Sequence, residues 1–352
     1  MRALRKTLPG PGFDLVEVPI PDIGSSDVLI EVRATSICGT DLHIHGWDPW
    51  AAEHVRVPVT VGHELAGIVI DRGEAVTEPA VGSLVSVESH VICNTCAWCR
   101  TGQGHLCSKT QILGVHRDGA YADYVAVPAQ NAWVDPADTP VSIAALQENF
   151  GNAVHTATTP SIAGRKVLVT GSGPVGVMAI ASAKALGARA VYATDISDYR
   201  LEMALKMGAD LALNPERDDV VAAVLEVTGG EGVDVLLEMS GAQSAIDAGF
   251  TVLKPGGEAA LLGLTSGDLS FDLDDHIIFK GATVYGIVGR RLWQTWLESR
   301  GLIRSGAVDL SQVITHRFVL DDYEEAFALM RSGRCGKVVM FPDPAFADGP
   351  LS

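Results

Sequence analysis

The residues best suited to chemistry stand between Cys38 and Glu64, in CGTDLHIHGWDPW followed by VGHE. Cys38, His63 and Glu64 offer a thiolate, an imidazole and a carboxylate, a donor set that can hold Zn²⁺ and leave one coordination position open, as a catalytic metal requires. Taken alone the stretch only suggests a metal, because a buried Cys or a surface His is common. Thr40 and His43 follow Cys38 directly. A hydroxyl accepts and donates at once, and an imidazole titrates near neutrality, so the two suit proton transfer away from a metal-polarised oxygen. Their bland alternatives are a turn-capping hydroxyl and a surface histidine.

A second donor group is more specific. Cys93, Cys96, Cys99 and Cys107 occupy CNTCAWCRTGQGHLC, with Gly102 and Gly104 allowing the chain to fold back. Four thiolates close a tetrahedral site and leave no open position, so zinc there would be structural, standing in for a core that so short a lobe cannot build. An iron–sulfur cluster uses the same four ligands and is the alternative, although nothing else in the chain suggests electron relay.

The third signal is KVLVTGSGPVGVMAIASAKALGA. Gly171, Gly173 and Gly176 form G-x-G-x-x-G between an apolar strand and an Ala-rich helix, the context a dinucleotide fingerprint requires. The pyrophosphate would lie at the helix N-terminus. The next strand ends at Asp195, whose carboxylate would accept from the ribose hydroxyls and repel a 2′-phosphate, favouring NAD over NADP. An arginine such as Arg200 can accommodate that phosphate, but with Asp195 ending the strand Arg200 reads as packing by the adenosine, and the expected coenzyme is NAD.

The elements that must position these groups fall into two patterns. Up to about residue 150, short β-branched runs alternate with Gly and Pro turns: Val28 to Ile37, Glu64 to Gly73, Ser83 to His90 and Tyr121 to Pro128 read as strands of a compact, largely β domain of barrel or sandwich type. A helical spacing from Val141 is interrupted at Gly151. Strands and helices then alternate, which predicts a doubly wound parallel sheet with helices on both faces, an α/β architecture. From 291 a helix and then a return to short elements follow, with 342–352 a loose tail or edge contact.

The chain has 352 residues, enough for two domains, and 47% hydrophobic residues against 20% charged. Its formal net charge of −17 argues against nucleic-acid and anionic-membrane partners. No apolar run is long enough to span a membrane and the N-terminal residues lack a signal-peptide core, so the expected compartment is the cytoplasm. Six cysteines, four of them crowded together, favour metal thiolates over disulfides there.

Over its whole length the chain resembles the zinc-dependent medium-chain dehydrogenases. The resemblance rests on ICGTDLHIHGWDPW, VGHE, the four-cysteine lobe, FGNAVHTA, DISDYRLEMALKMGA, LEMSGA, ITHRF and MRSGRCGKVV. It implies NAD-dependent oxidation of a secondary alcohol, with an amino alcohol as the leading substrate class and a polyol as the alternative. A non-catalytic NAD-binding scaffold is the competing reading, and it would need neither Cys38, His63 and Glu64 nor Thr40 and His43. The resemblance further implies one catalytic and one structural zinc per subunit, a proton relay through Thr40 and His43, and Glu148 beside the catalytic zinc. His90 falls next to the substrate. NAD contacts fall on Val175, Asp195, Arg200, Leu262, Gly263, Leu264, Ile287 and Val288. The resemblance also implies a Rossmann domain, 151–290, inserted in a GroES-like catalytic domain of 1–150 and 291–352, and assembly as a homotetramer. One departure concerns Asn149, where close relatives would carry a proline that fixes φ and so aims Glu148.

Overall fold

The structure is a computed structural model and describes residues 1–265 and 267–352. Two compact units emerge, one formed by Met1–Asn149 with Ile314–Ser352, the other by Phe150–Val313.

The first unit is built on a seven-stranded sheet. Its central strand, Asp27–Ser36, alternates β-branched and polar residues and buries Val28, Ile30, Val32 and Ala34, the period of two that a pleated strand needs. Glu64–Arg72 and Tyr124–Pro128 pair with it in antiparallel fashion. The chain's last strand, Lys337–Phe341, also joins it, through Val339 opposite Ser36. All five residues of that strand are buried. Strand Ile314–Val319 lies parallel to it, on the outer side. Residues 342–352 form an edge contact: Ser142 N donates to Asp348 Oδ2 at 2.8 Å and Ser352 N to the Arg317 carbonyl at 2.6 Å.

The second unit is a six-stranded parallel sheet in the order Leu211–Leu213, Ala190–Thr194, Lys166–Thr170, Val233–Glu238, Leu253–Leu261, Thr283–Gly286. With the strands numbered along the chain this is the 3-2-1-4-5-6 order of dinucleotide-binding sheets. Its central strands, KVLVT and VDVLLE, are largely apolar and buried because helices cover them. Gln243–Val252 buries Ile246, Gly249, Phe250 and Val252, and Pro174–Ala185 buries every residue from Gly176 to Ala183.

Two expectations need correction. The return to the first unit comes at Ile314, not at 291. Helix Gln294–Arg304 sinks Trp296 to 1% exposure, and the turn Leu310–Val313 buries Leu310 against the second unit's own core. A helical pattern in the sequence does not reveal which core it serves. Gly151, read as an interruption, lies inside the continuous helix Gln147–Thr158. A Cβ there would come within 2.5 Å of Arg290 Cδ, so the glycine admits that side chain and leaves the helix unbroken.

Candidate active site and metal centres

Cys38 ends the strand Asp27–Ser36 and precedes the helix Gly39–Gly46, while Glu64 opens the neighbouring strand and pairs with Ser36. That register brings the donor atoms of Cys38, His63 and Glu64 within 4.8 Å of one another. Glu64 is fully buried, and its Oε2 accepts from Ser36 Oγ and from Lys337 Nζ, the latter at 2.5 Å. Its Oε1 has no hydrogen-bond partner among the described residues. Such an orphan costs about 1–3 kcal/mol, and a cation held with Cys38 and His63 would satisfy it.

Asp41 ties this group together from inside the helix. It is fully buried and accepts from Cys38 N at 2.9 Å and from Tyr121 Oη at 2.6 Å, with Oδ1 3.5 Å from His63 Nδ1. Burial opposes its ionisation, but His63, Tyr121 and the Cys38 N–H outweigh that and hold the carboxyl below the usual range. Turning Nδ1 toward a carboxylate leaves the other imidazole nitrogen for a metal and fixes the ring, the usual support of a histidine ligand. Burial likewise works against the Lys337 ammonium, yet Glu64, Cys38 and Asp41 raise its pKa above the ordinary lysine value.

Thr40 and His43 lie three residues apart on helix Gly39–Gly46, a spacing that puts them on one face. Thr40 is half-buried, whereas the His43 ring is 58% exposed and its Nδ1 lies 2.5 Å from Asp48 Oδ2. Glu148, at 3% exposure, accepts from Ser89 Oγ at 2.5 Å. With Glu88 and His90 it forms a further group of donors within 4.8 Å of one another. His90 itself is anchored to Glu88 Oε1, through its backbone N at 2.8 Å and Nδ1 at 3.1 Å. Asn149, expected as proline, has its backbone fixed by the first turn of Gln147–Thr158 instead of by a ring, and its side chain is 2% exposed.

The four-cysteine lobe is assembled as the spacing predicts. Cys96 and Cys99 sulfurs are 3.5 Å apart and those of Cys93 and Cys107 3.6 Å, and all four lie within 4.8 Å of one another. A tetrahedron with Zn–S near 2.3 Å has edges of about 3.8 Å. The Thr95 hydroxyl and the backbone N–H groups of Thr95 and Cys96 hold the Cys93 thiol down at about 5, whereas burial and the neighbouring thiols push Cys99 up to about 12. Four thiolates this close resist ionising together without a cation among them.

In the second unit a cavity of about 330 Å³ opens beside the glycine turn, lined by Gly171, Gly173, Asp195 and Arg200 among others. Gly171 has φ +86°, and a Cβ on Gly176 would come within 2.0 Å of the Gly171 carbonyl, while a Cβ on Gly173 would meet nothing within 4 Å. The turn is therefore tight behind and open in front, at the N-cap of helix Pro174–Ala185. Asp195 Oδ2 accepts from Ser172 N at 2.8 Å and Oδ1 from Ser197 N at 2.9 Å. Arg200 lies with Nη1 3.8 Å from Asp195 Oδ2. Val175, Leu262, Gly263, Leu264, Ile287 and Val288 do not line this cavity. Val175 lies in the first turn of helix Pro174–Ala185, and the others sit after the carboxyl ends of their strands, with Ile287 buried and Leu264 and Val288 exposed.

Sequence reasoning missed Asp41, Tyr121, Ser36 and Lys337. Asp41 stood in plain view within CGTDLH, and a carboxylate beside a candidate His ligand was a usable signal. Lys337 carried none, because a strand lysine reads as solvent-facing until the topology buries it.

Residues 24–137 match the family described as the alcohol dehydrogenase GroES-like domain, and residues 174–304 the zinc-binding dehydrogenase family. An L-threonine 3-dehydrogenase of Symbiobacterium thermophilum is 50% identical over 344 residues, covering 97% of this chain and 98% of the relative. A chain described as a zinc-binding dehydrogenase from Sinorhizobium meliloti, bound to NADP, superposes with a TM-score of 0.90 at 29% identity, covering 97% of this chain and 99% of the other. The 2R,3R-butanediol dehydrogenase of Bacillus subtilis gives 0.88 at 28% identity, with coverage of 97% and 99%.

Two consequences can be measured. Lys337→Met leaves Glu64 buried with one cation fewer, so the urea midpoint of the first unit should fall by the equivalent of about 3 kcal/mol or more, with Lys337→Arg recovering part of it. Cys96→Ser should lose one metal equivalent per chain by atomic absorption and open 93–107 to proteolysis, while dinucleotide binding persists.

Proposed function

The chain belongs to the zinc-binding dehydrogenases, and on that footing we propose that it is an NAD-dependent enzyme that oxidises the secondary alcohol of L-threonine to 2-amino-3-oxobutanoate. The single observation that carries the mechanism is the pairing of an incomplete donor set, Cys38, His63 and Glu64, with a separate closed set of four cysteines. An incomplete set leaves room for a substrate oxygen, and a closed set does not. The substrate rests on the relationship to L-threonine 3-dehydrogenases across nearly the full chain.

Zinc bound by Cys38, His63 and Glu64 would make the alcohol more acidic, and NAD would accept the hydride. The balance is alcohol plus NAD⁺ to ketone, NADH and one proton, and this chain's residues must move that proton. Thr40 accepts it from the substrate hydroxyl while donating its own toward His43. Asp48 holds His43 through Nδ1, which leaves Nε2 to accept, and the exposed ring releases the proton to water. Glu148 is assigned a place beside the metal as an electrostatic neighbour, and His90 a place against the substrate. Asp195 presents its carboxylate to the adenosine ribose and partly neutralises Arg200, which supports NAD over NADP.

We further read the protein as a cytoplasmic homotetramer. A reducing compartment suits the thiolates of the four-cysteine lobe. Among the described residues no helix is long and apolar enough to cross a membrane. The edge strand Thr283–Gly286 leaves one side unpaired in the sheet, and exposed Val284, Val288, Ile278 and Phe279 lie on or near it in sequence, a combination that favours subunit contact.

Zinc-loaded protein should produce NADH from L-threonine with NAD preferred over NADP, and much less from butanediol or sorbitol. Turnover of polyols without turnover of threonine would overturn the substrate. Cys38→Ser should abolish turnover and leave NAD binding within about two-fold, whereas joint loss would make Cys38 structural. Sedimentation should give four subunits, falling to smaller species in Val284→Lys.

A further inference from the structure

Asn149 aims a polar side chain at the Cys38 sulfur for which neither the sequence nor the relay has a use. Its Nδ2 lies 3.8 Å from Cys38 Sγ, within reach of an N–H···S hydrogen bond. The side chain is 2% exposed, and its Oδ1 is buried with no hydrogen-bond partner among the described residues. The amide thus presents its donor end to the sulfur, and such a bond strengthens when the acceptor carries charge, as a metal-bound thiolate does.

We propose that Asn149 is a positioning residue of the catalytic centre, whose side-chain amide donates to the Cys38 thiolate, fixes that sulfur and weakens its electron donation to the metal. The inference rests on the metal reading of Cys38 given above. A hydrogen bond to the sulfur holds its lone pairs more tightly, and less donation leaves the metal a stronger Lewis acid. The substrate alcohol then ionises at lower pH. The backbone of Cys38 is independently held by Asp41, at 2.9 Å from Cys38 N, so Asn149 acts on the sulfur and not on the chain that carries it.

The test uses the full-length protein with cobalt exchanged into the catalytic site. Its thiolate-to-cobalt charge-transfer band is identified as the component lost in Cys38→Ser. In Asn149→Leu, which keeps the volume and removes the donor, the band should move to longer wavelength and the midpoint of the pH profile of kcat should rise. Turnover should fall by about 10-fold or more, as for other partners of metal ligands. Asn149→Gln, which restores a donor, should bring the band part of the way back. If Asn149→Leu does not fold, Asn149→Asp is isosteric and lacks the N–H donors, and must show the same red shift. An unmoved band in a folded variant would overturn the proposal, even where activity drops. Because the band reports only the bond from Cys38 to the metal, a failure to oxidise threonine leaves this test intact. A parent without any Cys38-dependent band would remove the proposal together with its metal.

Discussion

Glu64 and Lys337 form an ion pair at 2.5 Å whose side chains are 0% and 1% exposed. Taking both charges out of water costs several kcal/mol per ion, and mutual attraction alone rarely returns more than that. The pair has help. Ser36 Oγ donates to the same carboxylate oxygen, and Lys337 Nζ also reaches the Ile37 carbonyl at 2.9 Å. What the arrangement secures is position. Lys337 belongs to the last strand of the chain, and its partner carboxylate opens a strand near the beginning, so the pair fixes the register in which the two ends of the first unit close on each other. It also leaves Glu64 with one satisfied oxygen and one free to face a cation, which is the geometry a ligand needs and a simple core carboxylate would avoid.

The clustering of the four cysteines and the glycine turn were legible in the sequence because each is local. Cys93, Cys96, Cys99 and Cys107 are brought together by one short lobe, and Gly171, Gly173 and Gly176 by a single strand-to-helix turn. Spacing alone encodes such sites. The supports of the catalytic donors were not legible, because they depend on register between strands far apart in sequence: Ser36 opposite Glu64, and Val339 opposite Ser36. The same limit explains the misplaced boundary at 291. The pattern of Gln294–Arg304 announces an amphipathic helix, but not that the helix belongs to the second unit. The apolar wall of the cavity beside the glycine turn, including Val220 and Ala245, was equally silent, since packing residues carry no motif.

The two cysteine-containing centres contrast in electrostatic design. In the four-cysteine lobe every ligand carries potential negative charge, and backbone N–H groups and hydroxyls soften the repulsion, as the bond from Cys96 N to Cys93 Sγ at 3.4 Å illustrates. A metal there is buried in charge and has little acidity left to offer. Around Cys38 the sulfur would share a metal with an imidazole and a carboxylate already half-committed to Lys337. Each of those features leaves more of the metal's positive charge for a fourth ligand.

Asp195 carries a consequence for how such a protein could change its coenzyme. The carboxylate proposed to face the ribose also accepts from Ser172 N, inside the glycine turn, and from Ser197 N, before the next helix. Selectivity and scaffold are therefore written in one side chain. A lineage under pressure to use the phosphorylated coenzyme could not simply discard Asp195, because the turn that receives the pyrophosphate would lose its anchor at the same step. The accessible route begins elsewhere, with a new donor to hold Ser172 and Ser197 in place, and only afterwards with loss of the acid. Coenzyme preference in this chain is thus guarded by the order in which substitutions must arrive.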